Sequence, residues 1–204
     1  MPVDEPAGSD GGSIDLNTLT VLWGERWPRC RPVGDELRAC AWDRWVRFHS
    51  LPGSKRYADN EAEYREVLSR HNRLIHDLAD GTKDGRGGSL LLVFPKWPSP
   101  RGISADPTEL VPDGVYWFSI DCEDEGSRMD LYVCRVLFPS ERLDAIFRNV
   151  ADDVLAGVII CDLDLTWLYH PYDGGCDVIT STPEEGDLLR QRYSSWLSSH
   201  PQGL

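Results

Sequence analysis

The chain has no Cys-x-x-Cys pair, no apolar run that approaches the length of a membrane span, and too few basic side chains to balance its acids. The first absence argues against a cysteine-rich zinc knuckle, although six cysteines occur: Cys30, Cys40, Cys122, Cys134, Cys161 and Cys176. The second leaves no candidate for a spanning helix. Met1–Gly12 is acidic and glycine-rich with no apolar stretch, so it does not read as a secretory signal. A cytoplasmic protein with reduced, mostly buried thiols is the expectation. The third absence leaves a formal charge of −13, from 34 acidic against 21 basic side chains. Such a surface repels phosphate backbones and anionic lipids, which argues against nucleic acid or membrane as partner and for a basic protein or a cation. Nothing in the composition indicates an oligomeric state, and no cofactor motif occurs. Internal repeats and a second-domain linker are also missing.

What is present is aromatic bulk: eight Trp, seven Tyr and five Phe in 204 residues, enough for a substantial core. Residues 1–13 read as a disordered tail and 14–204 as a single α+β domain. Leu16, Leu19, Thr20 and Trp23 fit one face of a short helix ended by Gly24 and Pro28. Trp45–His49 reads as a strand whose alternation Val46 breaks, closed by a Pro52-Gly53-Ser54 turn. Asn60 and Glu63 form a capping box for the clearest helix, striped by Tyr64, Val67, Leu68, His71, Leu74, Ile75 and Leu78 and closed by Gly81. His71, on that stripe, reads as a satisfied core histidine. Leu90–Phe94 suits a central strand, and the five prolines of Pro95–Pro112 mark a long surface loop. Val115–Ile120 and Leu131–Phe138 form a strand pair around the acidic turn Asp121–Ser127. Ser140 caps a helix with Leu143, Ile146, Phe147 and Val150 inward. Val158–Cys161, Trp167–Tyr169 and Cys176–Ile179 are further strands. Thr182-Pro183-Glu184-Glu185 then starts a last helix carrying Leu189, Tyr193, Trp196 and Leu197. The fold class that results is α+β, a largely antiparallel sheet packed by a long central helix and a C-terminal helix.

The chemistry concentrates between Asp162 and Ile179. An apolar strand followed by Asp162-x-Asp164-x-Thr166 resembles the first motif of the haloacid dehalogenase-like hydrolases. The resemblance implies Asp162 as nucleophile, Asp164 as proton donor and acceptor, and Mg²⁺ as counter-charge. That chemistry also needs a lysine and an acidic pair further on, and the 38 residues after Thr166 contain no lysine. In a strand, Asp162, Asp164 and Thr166 share one face, so a solvated sheet face accounts for them. A second candidate is a catalytic or metal site at His170, Asp173 and Asp177, with Asp162 or Asp164 as further ligands alongside His170 and His49 as a second imidazole. Against it, Asp173-Gly174-Gly175 suits a tight hairpin with positive φ, in which Asp173 bonds the turn backbone. Cys176 near His170 is a third candidate, as a nucleophile. Arg47, His49, Lys55 and Arg56 make a basic cluster that binds an anion or, more simply, forms surface ion pairs. Trp23, Trp27, Trp42 and Trp45 read as core rather than as a ligand pocket.

Trp167-Leu168-Tyr169-His170-Pro171-Tyr172-Asp173-Gly174-Gly175-Cys176-Asp177-Val178-Ile179, with the capped helix ending at Trp196-Leu197, resembles the C-terminal part of an uncharacterised bacterial family. It is one of the domain-of-unknown-function groups. Its members carry a Tyr-Asp-x-Arg-Gly-x-Asp segment near the C-terminus and an Arg-Phe strand ahead of a long helix. Arg47-Phe48-His49-Ser50-Leu51-Pro52 and the Tyr64–Leu78 helix match that second element. The resemblance spans roughly residues 14–200. This chain's turn is one residue shorter and lacks the arginine, so no role for that arginine carries over. The resemblance implies one compact domain and no particular activity. Charge and size suggest a non-catalytic interaction module, immunity- or antitoxin-like, taking a basic protein. The alternative is a metal-dependent hydrolase centred on His170, Asp173 and Asp177.

Overall fold

A computed structural model describes residues 14–80, 88–97, 106–121 and 128–197. The Met1–Ser13 tail, Gly81 with most of the loop it opens, and most of the acidic Asp121–Ser127 turn lie outside the described residues. Among the described residues seven strands form one sheet: β1 (Trp45–His49), β2 (Ser89–Lys96), β3 (Val115–Asp121), β4 (Arg128–Leu137), β5 (Ile159–Cys161), β6 (Leu168–Tyr172) and β7 (Gly175–Ile179). Their order is β1-β7-β6-β5-β2-β4-β3, and every neighbouring pair is antiparallel. The helices are α1 (Leu16–Arg26), α2 (Leu37–Cys40), α3 (Glu61–Asp80), α4 (Pro107–Leu110), α5 (Glu141–Ala151) and α6 (Pro183–Arg192). This is the α+β class that the pattern of elements predicts.

The sheet is covered on both faces, which is why its strands are richer in apolar residues than a half-solvated antiparallel sheet requires. Val46, Phe48, Val178, Tyr169, Ile160 and Leu92 join Leu74 and Ile75 of α3, Phe147 of α5 and Leu189 of α6 in one apolar layer. Trp45, Ile179, Leu168, Leu91 and Val93 join Leu19 and Trp23 of α1 and Leu37 of α2 in the other. Val46 therefore does not interrupt a strand pattern. Trp45 and Val46 are both buried, one in each layer. Trp23, Trp27 and Trp45 are core as expected, whereas Trp42 is 75% exposed.

The helix starts follow local chemistry, with one regular departure. Asn60 Oδ1 accepts from the backbone N–H groups of Ala62 and Glu63 at 3.0 and 3.2 Å. Thr182 Oγ1 accepts from Glu185 N at 3.3 Å. In each case the glutamate reaches one residue further upstream than a capping box requires: Glu63 accepts from Asp59 N at 2.6 Å and Glu185 from Ser181 N at 3.1 Å. Each glutamate thereby ties the incoming loop to its helix. The proline-rich stretch is not loop throughout. Pro95 and Lys96 extend β2, and Asp106 caps α4 by accepting from Thr108 N at 2.9 Å.

Cys30 and Cys40 are bonded to each other, their Cα atoms 5.5 Å apart. The expectation of uniformly reduced thiols is corrected at this pair. The chain folds back between α1 and α2, and that reversal brings two cysteines ten residues apart into bonding range. Cys134, Cys161 and Cys176 are free and buried.

Candidate functional site

Register places three of the chemical candidates in one row. Arg47 of β1 faces Asp177 of β7, and Asp177 faces His170 of β6. Partners directly opposite one another point to the same sheet face. Arg47 grips both oxygens of Asp177, Nε to Oδ1 at 2.7 Å and Nη2 to Oδ2 at 2.9 Å. Its guanidinium lies 5.1 Å from the Trp45 ring centroid and 5.3 Å from that of Tyr172. The carboxylate beside it holds Arg47 above its ordinary value. Burial, followed by the Asp177 charge, pushes the Tyr172 phenol up.

His170 is 3% exposed and uses both ring nitrogens. Nδ1 lies 2.7 Å from the Val158 carbonyl oxygen, and Nε2 lies 3.4 Å from Asp35 Oδ1. The hydrogen bond to His170 draws the Asp35 carboxyl below its usual range. Asp173, at the β6–β7 turn, accepts from Arg56 Nε at 2.6 Å, so its partner is this arginine. The hairpin also differs from expectation in its backbone. Neither Gly174 nor Gly175 has positive φ. Gly175 is required for space, because a Cβ there would fall 2.2 Å from the Phe48 carbonyl oxygen. His170 and Asp177 thus share a row while Asp173 stands at the turn, and each has its own partner.

The basic cluster resolves into ion pairs: Arg47 with Asp177, Lys55 with Asp59 and Glu63, and Arg56 with Asp173. His49 lies opposite Gly175, its Nε2 buried without a partner. Burial, then the Arg47 and Arg70 charges, holds its imidazole below the ordinary value, against the Gly174 carbonyl.

Asp162, Asp164 and Thr166 do not lie on a strand. They form the turn between β5 and β6, with Leu165 at φ 51°. Asp162 Oδ1 accepts from Thr166 N at 2.6 Å, and Oδ2 accepts from Thr166 Oγ1 at 2.6 Å. The spacing that imitates a phosphoryl-transfer motif is the spacing of an aspartate closing its own turn. Burial raises the Asp162 carboxyl, and the bonds from Thr166 oppose that rise. Among the described residues no group of three or more His, Cys, Asp and Glu side chains gathers to hold a metal ion.

Cys176 lies on the other sheet face from His170, among the apolar residues packed by α3 and α5. Burial pushes its thiol up to about 12, the opposite of what a nucleophile needs. Near it runs a buried polar chain. Ser50 Oγ is 3.1 Å from His71 Nε2, and His71 Nδ1 is 2.5 Å from the Tyr169 hydroxyl. The His71 ring stacks on Phe147 with centroids 4.7 Å apart. His71 is the satisfied core histidine that its place on the stripe predicts.

One feature has no sequence signature. A cleft of about 1150 Å³ opens between the end of α1, the end of α3, the Asp162–Thr166 turn and α6. Glu25, Asp77, Asp162, Asp164 and Glu185 line it, with Arg26, Arg44 and Arg192. Two of the arginines are occupied by the protein. Arg44 donates to the Ser181 carbonyl at 3.2 Å and stacks on Trp27, and Arg192 pairs with Asp77 at 2.6 Å. Trp27, Leu165, Trp167 and Leu189 supply apolar lining. The cleft joins four segments distant in sequence. Two sequence features fall in it: the Asp162-x-Asp164-x-Thr166 spacing and, from the tryptophan cluster, Trp27.

No curated protein and no solved structure matches the chain. Residues 33–201, which hold the whole sheet, the row Arg47–Asp177–His170 and most of the cleft, match the family model described as "Domain of unknown function (DUF3885)", and the chain belongs to that family.

Proposed function

We propose that this protein is a non-catalytic, acidic interaction module that takes a basic protein as partner, in the manner of an immunity protein or antitoxin. The cleft carries the reading. Five carboxylates line it against three arginines, of which Arg192 pairs with Asp77 and Arg44 is turned to the Ser181 carbonyl, so negative charge is in excess. A concave wall of that composition concentrates negative potential and favours a cationic partner over an anionic one. The contacts of the chemical candidates point the same way. Arg47 occupies Asp177, Arg56 occupies Asp173, Thr166 occupies Asp162, and His170 is held between Val158 and Asp35. They give no support to a hydrolase, whose carboxylates must be available to substrate or metal.

The test is complex formation with a basic protein encoded beside this chain. A stoichiometric complex that weakens steeply between low and high salt supports the reading. No complex, or one indifferent to salt, rejects it. Metal analysis of the purified protein beside its His170→Ala variant tests the hydrolase directly. Stoichiometric metal in the parent that is lost in the variant would overturn the non-catalytic reading.

A further inference from the structure

We infer that the Cys30–Cys40 bond is a redox latch: a dithiol reductant attacks it at Cys40, and the strap that the bond closes then lifts from His170. The strap is the segment between the two cysteines. A Cβ on its Gly34 would fall within 2.7 Å of three His170 ring atoms, and Asp35 Oδ1 stands 3.4 Å from Nε2. His170 is 3% exposed beneath that cover. The backbone hydrogen bonds of the strap close on itself. Val33 N donates to Arg31 O at 2.8 Å, Glu36 N to Val33 O at 3.0 Å and Ala41 N to Leu37 O at 3.2 Å. It meets the rest of the chain through Gly34 and Asp35 on His170, Leu37 in the apolar layer and Arg38 over the Trp45 ring. No strand ladder has to break for it to rise, which is the mark of a segment that opens locally.

The sulfurs are placed for exchange. Both cysteines are half-buried, and Cys40 lines a hollow of about 590 Å³ with Arg29 and Trp42, so a thiolate has an approach to its Sγ. The free thiols among the described residues do not compete. Cys134, Cys161 and Cys176 are buried, and burial pushes all three up, the first and last to about 12. The exchange balances with the dithiol alone. Its thiolate bonds to Cys40 Sγ, the Cys30–Cys40 bond breaks, and Cys30 leaves as thiolate and takes a proton. The second thiol of the reductant then displaces Cys40, which is protonated in turn. The protein has gained two electrons and two protons, and the reductant holds a new disulfide. The row Arg47–Asp177–His170 is thereby uncovered at its His170 end.

Carbethoxylation of the full chain by diethyl pyrocarbonate, read residue by residue by mass spectrometry before and after dithiothreitol, tests the latch. Modification of His170 should rise about tenfold on reduction, because the strap no longer shields its Nε2. His71, 2% exposed and packed on Phe147, should stay protected, while the exposed His76 reports the reagent dose. A variant with Cys30→Ser and Cys40→Ser should react at the reduced protein's rate with or without dithiothreitol. Unchanged modification of His170 once the bond is open overturns the latch. So does His71 rising together with His170, which signals general unfolding, and so does a bond that dithiothreitol leaves intact in the folded protein.

Discussion

Gly34 lies flat against the imidazole of His170: a Cβ built on Gly34 would fall 2.3 Å from both Cε1 and Nδ1 of the ring. The contact is backbone on ring, and it fixes the segment before α2 over the middle of the sheet. Neighbouring Asp35 reaches the Nε2 side of the same ring. A Gly34→Ala variant must push the ring or the loop aside, and overpacking of this kind costs about 1–3 kcal/mol. Because the clash is with one side chain, Gly34→Ala combined with His170→Ala should cost less than the sum of the two single changes. Urea unfolding of the four proteins checks this. Strict additivity would contradict the contact.

Arg47 and Asp177 make a two-bond pair, with Asp177 almost wholly enclosed. Replacing Asp177 by Asn leaves the guanidinium without its counter-charge between Trp45 and Tyr172 and should lower stability by about 3 kcal/mol. A paired Arg47→Met, Asp177→Leu replacement should recover much of that loss, because two charges then leave a region where their desolvation is costly. Unfolding midpoints of the single and double variants decide the matter.

His71 makes stability depend on pH with a definite sign. Burial, helped by the Arg70 charge, pushes its imidazole down to about 3 from 6.5. Between those values the folded imidazole stays neutral while the unfolded one takes up a proton. Its contribution is therefore complete above pH 6.5 and is lost as pH falls toward 3. The slope from one such group approaches about 1.4 kcal/mol per pH unit. A His71→Gln variant removes the titration, so its stability should fall less steeply than the parent's over that interval, by about 1 kcal/mol per unit. Parallel curves would contradict the assignment of a neutral, buried imidazole.

The Cys30–Cys40 bond closes a short loop that carries Gly34 and Asp35 to His170. Substituting both cysteines by serine should cost about 2–3 kcal/mol. It should also speed hydrogen exchange in the segment between them more than in β6 or β7. Thiol counting on the denatured, unreduced protein should find Cys30 and Cys40 unreactive; reactivity at both would contradict the bond.

The strands and the longer helices were legible because each rests on local pattern, whereas the short α4 and its Asp106 cap were hidden in a proline-rich stretch that reads as loop. Asn60, Ser140 and Thr182 announce helix starts, and alternating or continuous apolar runs announce strands. The order of strands was not legible, since β1 pairs with β7 across more than a hundred residues and no local signal encodes that choice. Asp162, Asp164 and Thr166 show the reverse failing. Their spacing suits a strand face and a self-closing turn equally, and the positive φ of Leu165 with the bonds from Thr166 to Asp162 separates the two. Asp177 was singled out for chemistry and Arg47 for the basic cluster, but nothing in sequence joins them. Register alone makes each the other's partner. The cleft was illegible for the same reason, because α1, α3, the β5–β6 turn and α6 meet only in space.

The central claim is that a basic partner sits against the carboxylates of the α1–α6 cleft. Zero-length carbodiimide cross-linking of the complex, read by mass spectrometry, tests it most directly because it joins only carboxylates and amines in contact. Links from Glu25, Asp164 or Glu185 to lysines of the partner are the predicted result. Links confined to carboxylates outside the cleft, such as Glu109 or Glu141, would contradict it.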